Sequence, residues 1–378
     1  MSSLAVAGPN SRVSLFELDS ASDQWRSAQP AGCDGFWPVP RPGGEWTASV
    51  VDSSGRLEHH SAVGTSEVPG ATTTPPALIG ARLAHYAAWS PDGAQLCYVV
   101  PDGRALSLRT WDPGESGFHT HLSAAPVFPV WVPNTRWLVC HHGATLTAFN
   151  IETREQRTLS PAASGFRTPA VSMDGAVIAW AEVSDGAVLV HHGSLSGESE
   201  IVARLGGGVT LGFRPGTHEL FGAVATSPES GVFSYVAHLA NGPAQPERLV
   251  QGPLVAFWWS PDGEKIATFH PTYSGDGRFQ VRLHRSDGKF LGAMEPLIPS
   301  ADIATMVGFF DQYAVSHPSW SPDSRWFGIS GKFLSEGPHP SFTGSRRDTA
   351  YLWDTAGHGA ATPVAEGSLV VFQGPSGK

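Results

Sequence analysis

Histidine, tyrosine and aspartate side chains suited to acid–base chemistry lie in and beside two long stretches in the C-terminal third of the sequence. His317 and His270 are candidate general bases, because an unperturbed imidazole titrates near neutral pH. Tyr313 or Tyr273 is a candidate acid, and Asp311 is a candidate to orient the histidine that acts as base. Together they predict the catalytic group of a lyase, cyclase or hydrolase.

A second group of residues is suited to ligand binding. Arg and Lys side chains pair with carboxylate or phosphate groups, and Arg does so through a planar fork of donors. Histidine and tyrosine add hydrogen bonds and ring surface. The candidate ligand-binding residues are His85, Arg167, Tyr273, Lys332, His339, Arg346 and Arg347.

No local signature of a metal ion or an organic cofactor accompanies these residues. The sixteen histidines include adjacent pairs, but neighbours on a strand point to opposite faces. A metal-dependent enzyme would need ligands from separate elements, such as His85, His270 and His317 with one coordination position left open. The sequence has no G-x-G-x-x-G motif after a strand and no P-loop, so we expect no cofactor.

A repeated hairpin forms the scaffold that carries the candidate residues. Its clearest copies are AAWSPDGAQLCYVV (Ala87–Val100), AFWWSPDGEKIATF (Ala256–Phe269) and PSWSPDSRWFGIS (Pro318–Ser330). Each copy has an apolar strand, a turn of the Pro-Asp-Gly type and a second apolar strand. Two more short strands follow most copies, and four strands in about 40 to 50 residues form one blade of a β-propeller.

The two ends of the sequence complete the pattern. Gly367–Lys378 matches the strand-and-turn segment Gly252–Glu264, and Leu4–Gly8, Val13–Asp19 and the segment around Trp25 supply the strands that would follow it. We therefore predict an all-β chain in which residues 1–378 form a single β-propeller of eight four-stranded blades. The last blade is closed by the N- and C-terminal strands, which protects a sheet edge. Seven blades is the alternative.

The WSPDG hairpins, with Trp89, Trp259 and Trp320 and the turn residues Asp92 and Asp262, resemble the propeller repeats of TolB and of the prolyl oligopeptidase and dipeptidyl peptidase families. The resemblance implies a fold and no particular activity. We expect the repeated Trp to pack between neighbouring sheets and the Asp to accept hydrogen bonds from its own turn. Those peptidases carry a hydrolase domain with a G-x-S-x-G motif, which this sequence lacks, so we do not expect peptidase activity of that kind.

Two insertions into the repeat indicate where a ligand would bind. Ile298–His317 and Gly331–Asp348 lengthen connections that a propeller places on one face, and long loops in compact domains are usually functional or disordered. Within the first insertion, Ala301–Tyr313 is predicted to form a helix capped by Ser300. We expect the insertions, residues 298–317 and 331–348, to form a lid beside the channel mouth over an apolar pocket with a few polar groups.

Composition restricts the partners. The net charge of −10, with no basic run longer than Arg346-Arg347, argues against nucleic acid, and no apolar stretch is long enough to span a membrane. Three widely spaced cysteines fit a cytoplasmic protein. The first functional hypothesis is a non-catalytic propeller that binds a small molecule, a peptide or a protein partner at the lidded mouth. The alternatives are an enzyme using the same pocket and a structural interaction protein using its outer surface.

Overall fold

The structure is a computed structural model that describes residues 3–8, 12–19, 21–27, 35–42, 48–52, 55–60, 77–80, 84–115, 117–226, 231–239, 246–273, 275–333, 347–357 and 359–373. Within these ranges the chain is all-β apart from two short helices, and most strands belong to four-stranded antiparallel sheets. This is the architecture of a β-propeller, as the sequence predicts.

The chain forms one sheet after another, and we number the sheets in chain order. In sheets 1 to 6 we call the first strand the inner strand, and in sheet 7 Trp320, which forms an isolated bridge with Phe327, takes that position. The strands of the terminal sheet come from both ends of the described chain: β1 (Ser3–Gly8), β2 (Arg12–Asp19) and β3 (Gln24–Ser27), with β32 (Leu369–Phe372) paired to β1. Sheet 1 contains β4 (Phe36–Pro40), β5 (Ala48–Val51), β6 (Leu57–His60) and β7 (Ala77–Gly80), and sheet 2 contains β8 (Tyr86–Trp89), β9 (Leu96–Asp102), β10 (Ala105–Trp111) and β11 (Phe118–Ala124). Sheet 3 contains β12 (Val127–Trp131), β13 (Trp137–His142), β14 (Thr145–Asn150) and β15 (Gln156–Ser160), and sheet 4 contains β16 (Ala170–Val171), β17 (Ile178–Ser184), β18 (Ala187–Gly193) and β19 (Ser199–Leu205). Sheet 5 contains β20 (Val209–Phe213), β21 (Leu220–Ala225), β22 (Phe233–His238) and β23 (Glu247–Leu254).

The last two numbered sheets are joined edge to edge. Their strands are, for sheet 6, β24 (Ala256–Trp259), β25 (Lys265–Pro271), β26 (Phe279–Arg285) and β27 (Phe290–Ala293); for the link, β28 (Leu297–Pro299); and for sheet 7, β29 (Trp326–Phe333), β30 (Thr349–Asp354) and β31 (Thr362–Glu366). Strand β28 pairs with both β26 and β29. Its position brings the insertion that follows it close to the start of sheet 7.

One hydrogen-bonded turn recurs in the first hairpin of several sheets. In sheet 6, Ser260 Oγ donates to Asp262 Oδ1 and accepts from the backbone N–H of Lys265 over 2.9 Å. Asp262 Oδ1 also accepts from the backbone N–H of Glu264 over 3.0 Å. The same Ser–Asp hydrogen bond recurs at Ser90–Asp92, Ser172–Asp174 and Ser321–Asp323. The prediction that the repeated Asp residues serve their own turns is therefore confirmed at Asp92 and Asp262.

The repeated tryptophans contact the preceding sheet. Trp89 packs against His59 of sheet 1 with ring centroids 5.3 Å apart, and Trp259 packs against Phe221 of sheet 5 at 4.7 Å. Trp320 Nε1 donates to the backbone oxygen of Trp258 over 3.4 Å. Their packing role between neighbouring sheets is confirmed.

Glycine allows the turns of neighbouring sheets to approach closely. Gly175, in the first hairpin of sheet 4, has a φ of +75°, and a Cβ there would lie 2.3 Å from the carbonyl oxygen of Pro133 in sheet 3. Gly263 has the same relation to Pro215, at 2.8 Å. A side chain at either position would meet both backbone strain and a steric clash with the neighbouring sheet.

The helical insertion comprises α1 (Ala301–Gly308) and α2 (Phe310–Ser316). Ser300 Oγ accepts from the backbone N–H of Ile303 over 3.1 Å, so the predicted helix start is confirmed. Helix α2 packs against β8, β12, β20 and β24, the inner strands of four sheets. It therefore lies across the inner strands. Among the residues that the structure describes, no helix is long and apolar enough to cross a membrane.

Candidate functional site

A cavity of about 660 Å³ lies between α1 and the inner parts of sheets 4, 5 and 6. Its size falls in the range of small-molecule sites, roughly 300 to 1,000 Å³. Its apolar lining includes Val209, Phe233, Val255, Phe269, Phe279 and Val307. The charged and hydroxyl side chains among the described lining residues are Arg167 and Thr210.

Helix α1 forms one wall of this cavity through Ala304, Val307 and Gly308. The start of the helix is attached to the segment before β32. Ser300 Oγ donates to the backbone oxygen of Ser368, and Ser368 Oγ donates to a carboxylate oxygen of Asp302. The wall is thereby fixed by hydrogen bonds to a segment distant in sequence.

Arg167 and Asp311 form an ion pair that links α2 to the segment before β16. The guanidinium lies 2.8 Å from Asp311 Oδ1, and Asp311 Oδ2 accepts from the backbone N–H of Thr168 over 3.1 Å. The guanidinium also donates to the backbone oxygen of Gly308 and lies 5.3 Å from the ring centre of Phe309. The Asp311 side chain is 1% exposed and that of Arg167 is 31% exposed. Asp311 thus holds the helix in place, and Arg167 also faces the cavity.

Tyr313 joins the helical insertion to sheet 2. Its hydroxyl donates to the backbone oxygen of His85 over 2.9 Å, while Tyr86 donates to the backbone oxygen of Gln312 over 3.2 Å. Burial raises the pKa of Tyr313. The imidazole of His85 is exposed. The phenol of Tyr313 is thus buried and engaged with a backbone carbonyl, and it does not line the cavity.

His317 follows α2 and is 2% exposed. Its Nδ1 lies 2.7 Å from Ser316 Oγ, and its ring packs edge-on against Trp37 and Tyr313. Burial lowers the pKa of His317 to about 3. At neutral pH the imidazole is therefore uncharged and enclosed by aromatic rings.

His270, on β25, is buried with both ring nitrogens engaged. Nδ1 donates to the carbonyl oxygen of Pro253 over 2.8 Å, and Nε2 lies 2.9 Å from Thr268 Oγ1. Burial lowers the pKa of His270 to about 4. In the part of the chain that the structure describes, no group of three or more His, Cys, Asp or Glu side chains is arranged to hold a metal ion.

Three further predicted ligand-binding residues, Tyr273, Lys332 and Arg347, do not line the cavity. Tyr273 is 90% exposed at the β25–β26 connection. Lys332 pairs with Asp348 at 3.4 Å, and Arg347 pairs with Glu366 at 3.5 Å, both on the surface. His339 and Arg346 fall outside the described residues, as does most of the second insertion, so the two-part lid stays a prediction. Among the candidate residues that the structure describes, Arg167 is the one that lines the cavity.

The lining residues that belong to the sheets could not be recognised in the sequence. Thr210 and Val209 open the inner strand β20, a position that the hairpin repeat locates but does not distinguish from other apolar strand starts. Phe233, Phe269 and Phe279 come from second and third strands, where an aromatic side chain equally suits an ordinary core. No local signal in the sequence separates them from core residues.

Comparison with known proteins supports the fold. No protein-family model and no curated protein matches the sequence. Among solved structures, a eukaryotic initiation factor is 11% identical with a TM-score of 0.58, covering 99% of this chain and 98% of that chain. Porphyromonas gingivalis dipeptidyl peptidase 4 is 10% identical with a TM-score of 0.53, covering 88% of this chain and 55% of the peptidase. An oligogalacturonate lyase in complex with manganese is 11% identical with a TM-score of 0.50, covering 74% and 76%. Likeness at this level of identity shows a shared β-propeller fold and leaves the activity open.

Proposed function

We propose that this protein is a non-catalytic β-propeller that binds a small, mostly apolar ligand in the cavity beside α1. The observation that carries the proposal is the cavity itself: a large apolar space, lined by side chains from three sheets and a helix, with two polar side chains at its wall. A few oriented polar groups in an apolar enclosure are typical of small-molecule sites. A peptide or protein partner that inserts an apolar side chain would use the same space.

The acid–base candidates favour binding over catalysis. Tyr313 and His270 already have hydrogen-bond partners within the protein, and His317 is enclosed by aromatic rings. A general acid or base must reach its substrate within hydrogen-bond distance. None of these residues lines the cavity, so an enzyme acting there would have to use other groups.

The finer features of the fold belong to the same proposal. We place eight blades in the propeller, with the terminal sheet as the eighth, because β32 pairs with β1 from Leu4 opposite Phe372 to Ala7 opposite Leu369. We also place the protein in the cytoplasm, away from nucleic acid and membranes. Cys97 and Cys140 support this location, because both are buried free thiols.

A cavity-filling substitution tests the proposed function. Ala304 lies on α1, lines the cavity and is exposed, so Ala304→Trp should fill the space without disturbing the core. The neutral apolar dye Nile red should bind the parent protein saturably, with one site per chain, and the variant should lose that binding. Thr305→Trp is the matched control, because Thr305 is exposed on the same helix and does not line the cavity. Nile red binding that is unchanged in Ala304→Trp would contradict the proposal.

A further inference from the structure

The two polar side chains of the cavity come from neighbouring segments. The backbone N–H of Val209 donates to the carbonyl oxygen of Gly165 over 3.1 Å, which sets the start of β20 beside the segment that precedes β16. Thr210 follows Val209 directly, and Arg167 lies two positions beyond Gly165. Arg167 and Thr210 thus line the cavity from two segments that are joined by a hydrogen bond.

Thr210 presents a hydroxyl group to an otherwise apolar wall. The residue is 4% exposed and lines the cavity, and a threonine hydroxyl can both donate and accept a hydrogen bond. This hydroxyl is therefore suited to a hydrogen bond with a polar atom of a ligand at this wall.

Arg167 keeps donors available after its contacts within the protein. A guanidinium carries five N–H donors. One donates to Gly308 and another faces Asp311, and the other three have no partner among the residues that the structure describes. Because its side chain is 31% exposed and that of Asp311 only 1%, the cation is the accessible member of the pair.

The charged side chain that lines the described part of the cavity is a cation. Arg167 is the charged side chain of the described lining, and no carboxylate belongs to that lining. Asp311 reduces the net charge of the pair, but it lies behind the guanidinium, where Thr168 also holds it. An anionic head group would meet Arg167 and Thr210 as donors, and charge-assisted hydrogen bonds of this kind are stronger than neutral ones.

We propose that the ligand of this cavity is an apolar small-molecule carboxylate. Its apolar body packs against Val209, Phe233 and Phe279, and its carboxylate accepts hydrogen bonds from Arg167 and Thr210. The inference rests on the proposed function, since it assigns a ligand class to the same cavity.

Three probes of one chain length test the charge preference. Decanoate, decanol and decylammonium, each below its micellar concentration, are titrated into the parent protein by calorimetry and in competition with Nile red. Decanoate should bind about tenfold more tightly than decanol, because it gains charge-assisted hydrogen bonds, and decylammonium should bind most weakly. Decanol binding equal to or tighter than decanoate would overturn the carboxylate assignment. If Ala304→Trp still abolished both, the cavity would remain a ligand site.

A double variant separates head-group recognition from simple cavity binding. Arg167→Gln combined with Asp311→Asn removes both charges together, so no buried charge is left without its partner. This variant should bind decanoate and decanol with similar affinity, and Thr210→Val, which keeps the side-chain shape, should narrow the difference in part. A preference for decanoate that survives the double variant would overturn the role of Arg167. Failure of every probe and of Nile red to bind the parent protein would overturn both the carboxylate assignment and the proposed function.

Discussion

Removing Arg167 should destabilise the protein more than removing its partner Asp311. The two side chains form one ion pair, but the Asp311 carboxylate is 1% exposed while Arg167 is 31% exposed. Arg167→Met leaves a buried carboxylate with the Thr168 N–H as its remaining hydrogen bond. Asp311→Asn leaves a guanidinium that water can still reach and an amide that can keep the bond to Thr168.

The expected difference in unfolding free energy between the two variants follows from the burial of the two side chains. Removing one partner of a fully buried pair costs about 3 to 5 kcal/mol. Because the Thr168 N–H still stabilises the carboxylate, Arg167→Met should cost about 3 kcal/mol, at the lower end. Asp311→Asn should cost about 1 kcal/mol, close to the loss of one hydrogen bond, because solvent screens the remaining cation. Combining the two substitutions should cost less than their sum.

Urea unfolding of the parent protein, the two single variants and the double variant provides a double-mutant cycle. Hydrogen exchange at the Thr168 amide reports on the same contact locally, and its protection should fall in Arg167→Met. Equal costs for the single variants, or strict additivity in the cycle, would refute the assignment of Asp311 as the buried member of a coupled pair.

Three further predictions concern the turns and a buried imidazole. Ser260→Ala should lower the free energy of unfolding in urea by about 1 kcal/mol, because the turn loses its internal hydrogen bonds, whereas Ser199→Ala, at an exposed position of β19, should have little effect. Gly175→Ala should cost at least about 1 kcal/mol more than Gly216→Ala, since both glycines have a φ of +75° but a Cβ at Gly175 would also clash with the neighbouring sheet; equal costs by thermal unfolding would contradict this. Because the pKa of His317 is lowered to about 3 in the folded protein, its contribution to stability is complete above pH 6.5 and is lost as the pH falls from 6.5 towards 3. Between pH 7 and pH 5 this loss amounts to about 2 kcal/mol, and His317→Gln should remove that part of the pH dependence of urea unfolding.

Turns and helix starts that depend on residues close together in the chain could be predicted from the sequence. The Ser-Pro-Asp-Gly turns depend on hydrogen bonds between residues two to five positions apart, as between Ser260 and Lys265. The start of α1 depends on Ser300 and Ile303, three positions apart. Each is decided by the chemistry of a few neighbours, so residue types and spacing were sufficient.

The position of the site depends on distant residues and could not be predicted in the same way. The segment that carries Arg167 and Thr168 is more than 140 residues from Asp311, so its contact with α2 follows from how the insertion packs across the inner strands. The environment of His270 depends on a residue 17 positions away in another sheet, because the carbonyl of Pro253 on β23 accepts a hydrogen bond from its ring. A titratable residue near a loop therefore gave the same sequence signal whether it faced a cavity or the packed interior.

The pairing of β1 with β32 has a consequence for how the chain folds during its synthesis. About 360 residues separate these two strands, and translation at about 5 to 20 residues per second takes roughly 20 to 70 s to cover that distance. For this interval the edge of β1, with Leu4, Ala5 and Val6 destined for full burial, has no partner strand from its own chain. An unpaired apolar edge is a template for association with other chains. The nascent protein therefore has its greatest need of chaperone protection between the emergence of β1 from the ribosome and that of β32.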